Sequence, residues 1–270
     1  MKNSEWGAVA YLSKSQYGQN DEEIKVNNAN LLSGNRKRTS TSGKSGVDSV
    51  YGITGCTSNE TSEGSITTTI EAINGVSENT ANANGIYVWN QKTGQNASTT
   101  GTIYGIYDIS GCVWERTADF ISNGHEYLLE YGKSLLDETK VNYTIDENTK
   151  TVTANTGAST KHVTIYPYSS PESSNIDTAS QNNFKNNTKI YGDAVRETTS
   201  ANAGTSNSGW STSSWNSDAS CFPALFGPAF KRGGCLWDNS AAGAFAFISV
   251  DGASNFHYGF RAVLVAAPAI

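Results

Sequence analysis

The apolar residues of this chain are concentrated in two dense blocks, 102–120 and 222–267, set apart by long stretches rich in Asn, Ser, Thr and Gly. Both blocks are rich in β-branched and aromatic residues, and Gly105 and Gly111 punctuate the first. That pattern predicts short strands joined by long loops, with few helices. The chain has 270 residues, enough for a sizeable core. With no internal repeat and no linker between the blocks, the sequence reads as one domain, 1–270, of α+β class.

Outside the blocks, a few local elements are legible. Trp6, Val9, Ala10 and Leu12 are spaced as one face of a helix over 4–18, with Ser4 as cap and Gly18 as stop. Such a dense start predicts that a further segment precedes it in the natural protein. The stretch from Asn27 to Asn84 reads as ordered loop, because Tyr51, Ile53 and Ile70 recur within it. Residues 141–145 and 150–154 flank the turn-like Asp146-Glu147-Asn148-Thr149 and predict a hairpin. The polar span 169–220 reads as an excursion from the core.

Composition removes several function classes. The net charge is -6 and the only basic run is Arg36-Lys37-Arg38, so no footprint exists for tracking phosphates and nucleic acid is not expected as a partner. No apolar run approaches the ~20 residues of a membrane span, and residues 1–11 lack the layout of a signal peptide. Insertion into a membrane is therefore not expected. Cys56, Cys112, Cys221 and Cys235 form no C-x-x-C motif and allow either buried thiols or any of three pairings. His125, His162 and His257 lie far apart, in no metal-ligand spacing. There is no Gly-x-Ser-x-Gly elbow, and Asp21-Glu22-Glu23 reads as a solvated charge run.

Three motifs pair glycines with aromatics: Gly111-Cys112-Val113-Trp114-Glu115, Phe230-Lys231-Arg232-Gly233-Gly234-Cys235 and Tyr258-Gly259-Phe260-Arg261. Glycine lets the backbone turn or approach closely while the rings fill a core. In this order they resemble the G-N-V-W-E-W, R-G-G-S-W and G-F-R motifs of the formylglycine-generating-enzyme family, a variant of the C-type lectin fold. The resemblance is clearest over 100–270, and residues 3–11 resemble a helix of bacterial relatives. It implies a C-type-lectin-like fold with long irregular loops, framed by Trp114, Glu115, Gly233, Gly234, Phe260 and Arg261. In the family's enzymes two cysteines after the Gly-Gly pair hold copper, since Cu(I) selects soft thiolates. The corresponding places fall near Asp238 and Gly243, neither a thiolate. A binding protein with no cofactor and no catalytic residues is therefore expected. The classical lectin tripeptides for calcium, Glu-Pro-Asn and Gln-Pro-Asp, do not occur either.

The C-terminal block also resembles the variable proteins of diversity-generating retroelements, in which adenine-directed copying rewrites selected surface codons. An AAC codon rewritten at its adenines becomes NNC, which cannot encode Lys, Glu, Gln, Met or Trp. Residues 238–258 contain none of the five. The resemblance implies a receptor-recognition protein on a phage virion or bacterial surface, a monomer, whose ligand is a protein or glycan of a cell surface. Its contact residues would be Trp237, Asp238, Asn239, Ala246, Ile248, Val250, Asp251, Ala253, Asn255, His257 and Tyr258. The alternatives are a metal-dependent oxidase of the same fold and a structural surface or tail subunit.

Four structural expectations follow. Trp114 and Phe260 are buried, while Asp238, Asn239, Asp251, Asn255 and His257 are mostly exposed. Cys112 stands where the family has Asn and Cys235 where it has Ser, so the two are expected within disulfide reach. Arg261, in an apolar run, needs a carboxylate partner, with Glu115 the first candidate. In the strand around 242–247, Phe245 and Phe247 point inward, so Ala246, Ile248 and Val250 share the outward side and the surface continues through a loop hinged at Gly252.

Overall fold

Helix α1 (Asn3–Ser13) turns one stripe inward, Asn3, Trp6, Gly7, Ala10 and Ser13, the i, i+3, i+4, i+7 spacing of an amphipathic helix. Leu12, expected on that stripe, faces solvent instead. The reason is that two small polar residues take inward places and find partners there: Asn3 donates to the Tyr166 hydroxyl at 2.7 Å and Ser13 to the Ala10 carbonyl at 2.7 Å. The cap position is Lys2, not Ser4, and the Glu5 carboxylate accepts the Lys2 amide at 2.8 Å, one half of a capping box. The Trp6 indole donates to the Ala244 carbonyl at 2.7 Å, tying the helix to the C-terminal block.

A computed structural model describes residues 1–27, 56–58, 86–88, 94–139, 142–154, 159–168, 176–188, 190–200, 210–235, 238–255 and 257–263. The reading of the stretch from Asn27 to Asn84 as ordered loop falls almost wholly outside these residues. The architecture is α+β with several small sheets. β1 (Cys56–Ser58) pairs antiparallel with β2 (Ile86–Val88). β4 (Asp119–Ile121) pairs in parallel with β8 (Thr164–Tyr166). β5 (Asn123–His125), β7 (Thr151–Ala154) and β6 (Tyr143–Asp146) form a three-stranded sheet in that order. β6 and β7 are the expected hairpin, with Asp146 accepting the amides of Asn148 and Thr149 at 2.9 and 3.2 Å.

The fourth sheet runs β10 (Gly243–Val250), β9 (Ala229–Gly233), β3 (Trp114–Arg116), β11 (Tyr258–Phe260), with β11 parallel to β3 and the other pairs antiparallel. The three glycine–aromatic motifs thus supply three adjacent strands. Gly233 and Gly234, at φ +87 and +79, turn the chain out of β9. A side chain on Gly234 would run into Ala242, and one on Gly233 would press on the Trp6 ring. The glycines serve both conformation and close approach.

One side of this sheet meets the main core, where Phe230 and Phe247 pack with Ile121, Tyr166, Phe184, Val195 and Phe222. Edge-to-face contacts at centroid distances of 5.0 to 5.9 Å link Tyr166, Phe230, Phe222 and Phe247. The polar span 169–220, too long for a simple connector, contributes to this core. A helix there, Ile176–Asn186, buries Ala179, Ser180, Asn183 and Phe184. Asn183 donates to the Pro223 carbonyl at 3.0 Å and Ser180 to that of Phe222 at 2.5 Å, so polar residues do packing work once their hydrogen bonds are met. A smaller α-helical pair, Tyr127–Glu130 and Lys133–Thr139, covers a second cluster around Phe120, Leu128, Leu136 and Val152. Among the described residues no helix is long and apolar enough to cross a membrane.

Cys112, Cys221 and Cys235 are buried thiols. The pairing expected of Cys112 with Cys235 is not formed. Cys112 lies at φ +61 just after Gly111, where its amide donates to the Asn27 carbonyl at 2.7 Å, whereas Cys235 packs with Trp114, Ala219 and Ala246 on the sheet's other side.

Candidate functional site

Register across the four-stranded sheet sorts its residues onto two sides, because directly opposed residues project the same way. One row is Phe247, Arg232, Glu115 and Gly259; it faces the interior. The adjacent row is Ile248, Lys231, Arg116 and Phe260. Trp114 and Tyr258, register partners one step beyond Glu115 and Gly259, lie on that same outer side.

The inner row is held by charge pairing. Arg261 donates through Nε to Glu115 at 2.6 Å and through its terminal nitrogen to the other carboxylate oxygen, and also to the carbonyls of Tyr107 and Asp108 at 3.2 and 3.3 Å. This is the partner expected for Arg261. Arg232 is fully buried and is held by neutral partners, donating to the Asn3 side-chain oxygen and to the backbone carbonyls of Asp193 and Ala194 at 2.9 to 3.1 Å and lying over the rings of Trp6 and Phe247. Near it, burial pushes the Asp119 carboxyl up to about 7 and that of Asp193 up to about 6. The Asp119 carboxylate accepts the Phe230 amide at 2.8 Å, and the Tyr166 hydroxyl donates to Asp193 at 2.6 Å.

The outer side has a different chemistry. The Lys231 ammonium stands 4.3 Å from the Tyr258 ring centroid and 4.9 Å from that of Trp114, and donates to the Tyr258 hydroxyl at 2.8 Å. The Arg116 guanidinium lies 5.4 Å from the Tyr258 centroid, so one ring is shared by two cations. Arg116 also donates to the carbonyls of Gly252 and Ala253, and this clamps the 251–255 loop to the sheet. Within that loop Gly252 has φ +106, the hinge expected there, and Asp251 accepts the Ala253 amide at 2.9 Å. The His257 ring meets that of Tyr258 edge-on at 4.7 Å. Burial, then the charge of Lys231, push the His257 imidazole below its ordinary value, so it is neutral at pH 7.

The expected contact residues divide accordingly. Ile248, His257 and Tyr258 lie together on the outer side, half-buried, and Ala253 and Asp251 border them. Asn255 is exposed as expected, while Asp238, Asp251 and His257 are half-buried. Asp238 turns inward to accept the Cys235 amide at 2.7 Å. Ala246 and Val250, expected at the surface, are buried. Ala246 is covered by Trp114, Ala219 and Cys235. Val250 lines a small cleft together with Tyr127, Leu128 and Tyr131. Phe245 and Phe247 do point inward, so the alternation holds and it is the second side that proves partly covered. Trp237 and the side chain of Asn239 lie outside the described residues.

Phe260 overturns its expected place in the frame. It is 82% exposed, against 2% for Trp114, because it ends the outer row on the edge strand, beyond which no strand pairs among the described residues. Sequence reasoning also missed Lys231 and Arg116. The available signal was Lys231-Arg232 itself: in a strand, adjacent residues face opposite sides, so one of the two cations had to leave the core.

Among the described residues no group of three or more His, Cys, Asp and Glu side chains is placed to hold a metal ion. Comparison with known proteins returned no matching family model, no matching curated protein and no matching solved structure.

Proposed function

We propose that the outer side of the four-stranded sheet, from Ile248 through Lys231 and Arg116 to Phe260, is a recognition surface of a ligand-binding protein. The observation that carries this reading is the 82% exposure of Phe260, an apolar ring on the same side of the sheet as half-buried Tyr258 and, at the opposite edge, Ile248. Rigid aromatic anchors among small polar groups are the composition of adaptable binding surfaces. On this reading the scaffold is a C-type-lectin-like domain of the formylglycine-generating-enzyme type. Its support is that the three motifs form adjacent strands and that the Glu and Arg of two of them pair. The segment 238–258, free of the residues that NNC codons exclude, is the part rewritten by a retroelement, and the protein works at a phage or bacterial surface.

Two experiments test it. Sequencing the DNA around the gene is expected to find a reverse transcriptase and an adenine-rich near-copy of codons 237–261; their absence removes the retroelement from the proposal. Replacing the exposed Phe260 by Ala is expected to weaken binding to the native host's surface extract at least tenfold at a melting temperature changed by no more than about one or two degrees. Binding that survives intact places the recognition surface elsewhere.

A further inference from the structure

Lys231 is only 9% exposed, yet among the described residues no carboxylate pairs with it. Among the described residues its ammonium makes one hydrogen bond, to the Tyr258 hydroxyl, which occupies one of its three donors. Directly across the β3–β9 register stands Arg116, whose guanidinium binds only neutral carbonyls. Like charges directly opposed on a sheet are destabilising, and a buried cation without a counter-charge is costly. The remaining groups nearby do not neutralise them. His257 is neutral, and Asp238, the carboxylate beyond it, is engaged with the Cys235 amide. Asp251 lines the same cleft as Arg116 but accepts the Ala253 amide, and among the described residues it forms no ion pair with Arg116. Two uncompensated cations meeting over one tyrosine ring, in a chain of net charge -6, form a local site of the opposite sign.

We infer that the Lys231–Arg116 pair, beneath the rings of Tyr258 and Trp114, is a subsite for an oxyanion, a carboxylate, sulfate or phosphate group carried by the ligand. The inference rests on the recognition surface proposed above and names the chemistry that surface selects. The oxyanion takes the two remaining ammonium donors and cancels the cross-strand repulsion, while the rings exclude water and strengthen the contact. Phe260, register partner of Arg116 at the sheet edge, then meets the apolar part of the same ligand.

The test is calorimetric titration of the intact chain with sulfate, inorganic phosphate and glucuronate, each at ionic strength held constant with chloride. One saturable site is expected, and the tightest of the three anions identifies the source of the charge. Lys231→Met is expected to weaken it at least tenfold, Arg116→Gln severalfold, and Lys185→Met, an exposed lysine on the helix Ile176–Asn186 that packs against the inner core, not at all. Equal affinity in Lys231→Met and the parent, or no saturable heat with any anion, overturns the inference. Should Lys231→Met fail to fold, Arg116→Gln decides, since its side chain lies nearer the rim. A parallel assay of host-surface binding separates the two readings. Anion binding lost with host-surface binding kept, and abolished by Phe260→Ala, removes the subsite alone; anion binding kept while Phe260→Ala leaves host-surface binding intact removes the recognition surface alone.

Discussion

Glu115 and Arg261 lie 146 residues apart in sequence and meet through two parallel hydrogen bonds, one from Nε and one from a terminal nitrogen. The contact fastens β11 to β3 from the inner side, directly behind the proposed recognition surface. Glu115 is nearly buried and Arg261 about a quarter exposed. Arg261→Ala is therefore expected to cost roughly 2–3 kcal/mol, below the figure for breaking a fully buried pair because solvent reaches one partner. Chemical denaturation measures it, and a loss near zero would show that β11 is held by other contacts.

Trp114 and Phe260 belong to neighbouring strands and to the same side of the sheet, yet they do different work. Trp114→Ala is expected to cost ~3–5 kcal/mol, the range for a buried large aromatic, and to release Lys231 from its ring. Phe260→Ala is expected to leave the melting temperature within about one or two degrees, since surface truncations change stability by about 0.5 kcal/mol or less. Equal destabilisation by both would contradict the exposure of Phe260.

Stability is expected to carry the mark of the buried carboxyls. Asp119 and Asp193, raised by burial to about 7 and about 6 from an ordinary 3.8, hold their protons more tightly folded than unfolded. Their contribution to stability is complete below the ordinary value and is lost as pH rises through the folded ones. Asp119→Asn keeps an acceptor for the Phe230 amide and cannot ionise. Its melting temperature relative to the parent should rise between about pH 5 and about pH 8. A difference that does not change with pH would show that Asp119 does not titrate there.

Thiol chemistry gives a further check. In the native protein Cys112, Cys221 and Cys235 should resist alkylation, and in denaturant without reductant all three should react, as read by intact mass and peptide mapping. Protection of Cys112 and Cys235 in denaturant would reveal a disulfide between them.

The legible parts of the sequence were those where chemistry leaves little choice. A guanidinium in an apolar run requires a carboxylate, and Glu115 answers it. Phe245 and Phe247 alternate with alanines, and the rings go inside. Asp146 to Thr149 carries the acceptor and flexibility of a turn. What escaped depends on neighbours distant in sequence. Ala246 is small because Trp114 and Cys235 lie over it, and nothing local announces a cover. The register of β10 shifts between Gly243 and Phe247, which no period-two pattern encodes. Phe260 is exposed because its strand ends the sheet, and Ala179 and Phe184 are buried within a helix whose other residues are largely polar. In each case composition is ambiguous and topology decides.

The hydrogen bond from Trp6 to Ala244 spans 238 residues, and its length sets an order of events during synthesis. At roughly 5–20 residues per second, the ribosome emits the indole tens of seconds before its acceptor. Throughout that interval the Trp6 ring can meet Ile24 and Ile109 of its cluster, but Ala244 and Phe245 have yet to be made. Final docking of α1 therefore waits until nearly the whole chain has been made.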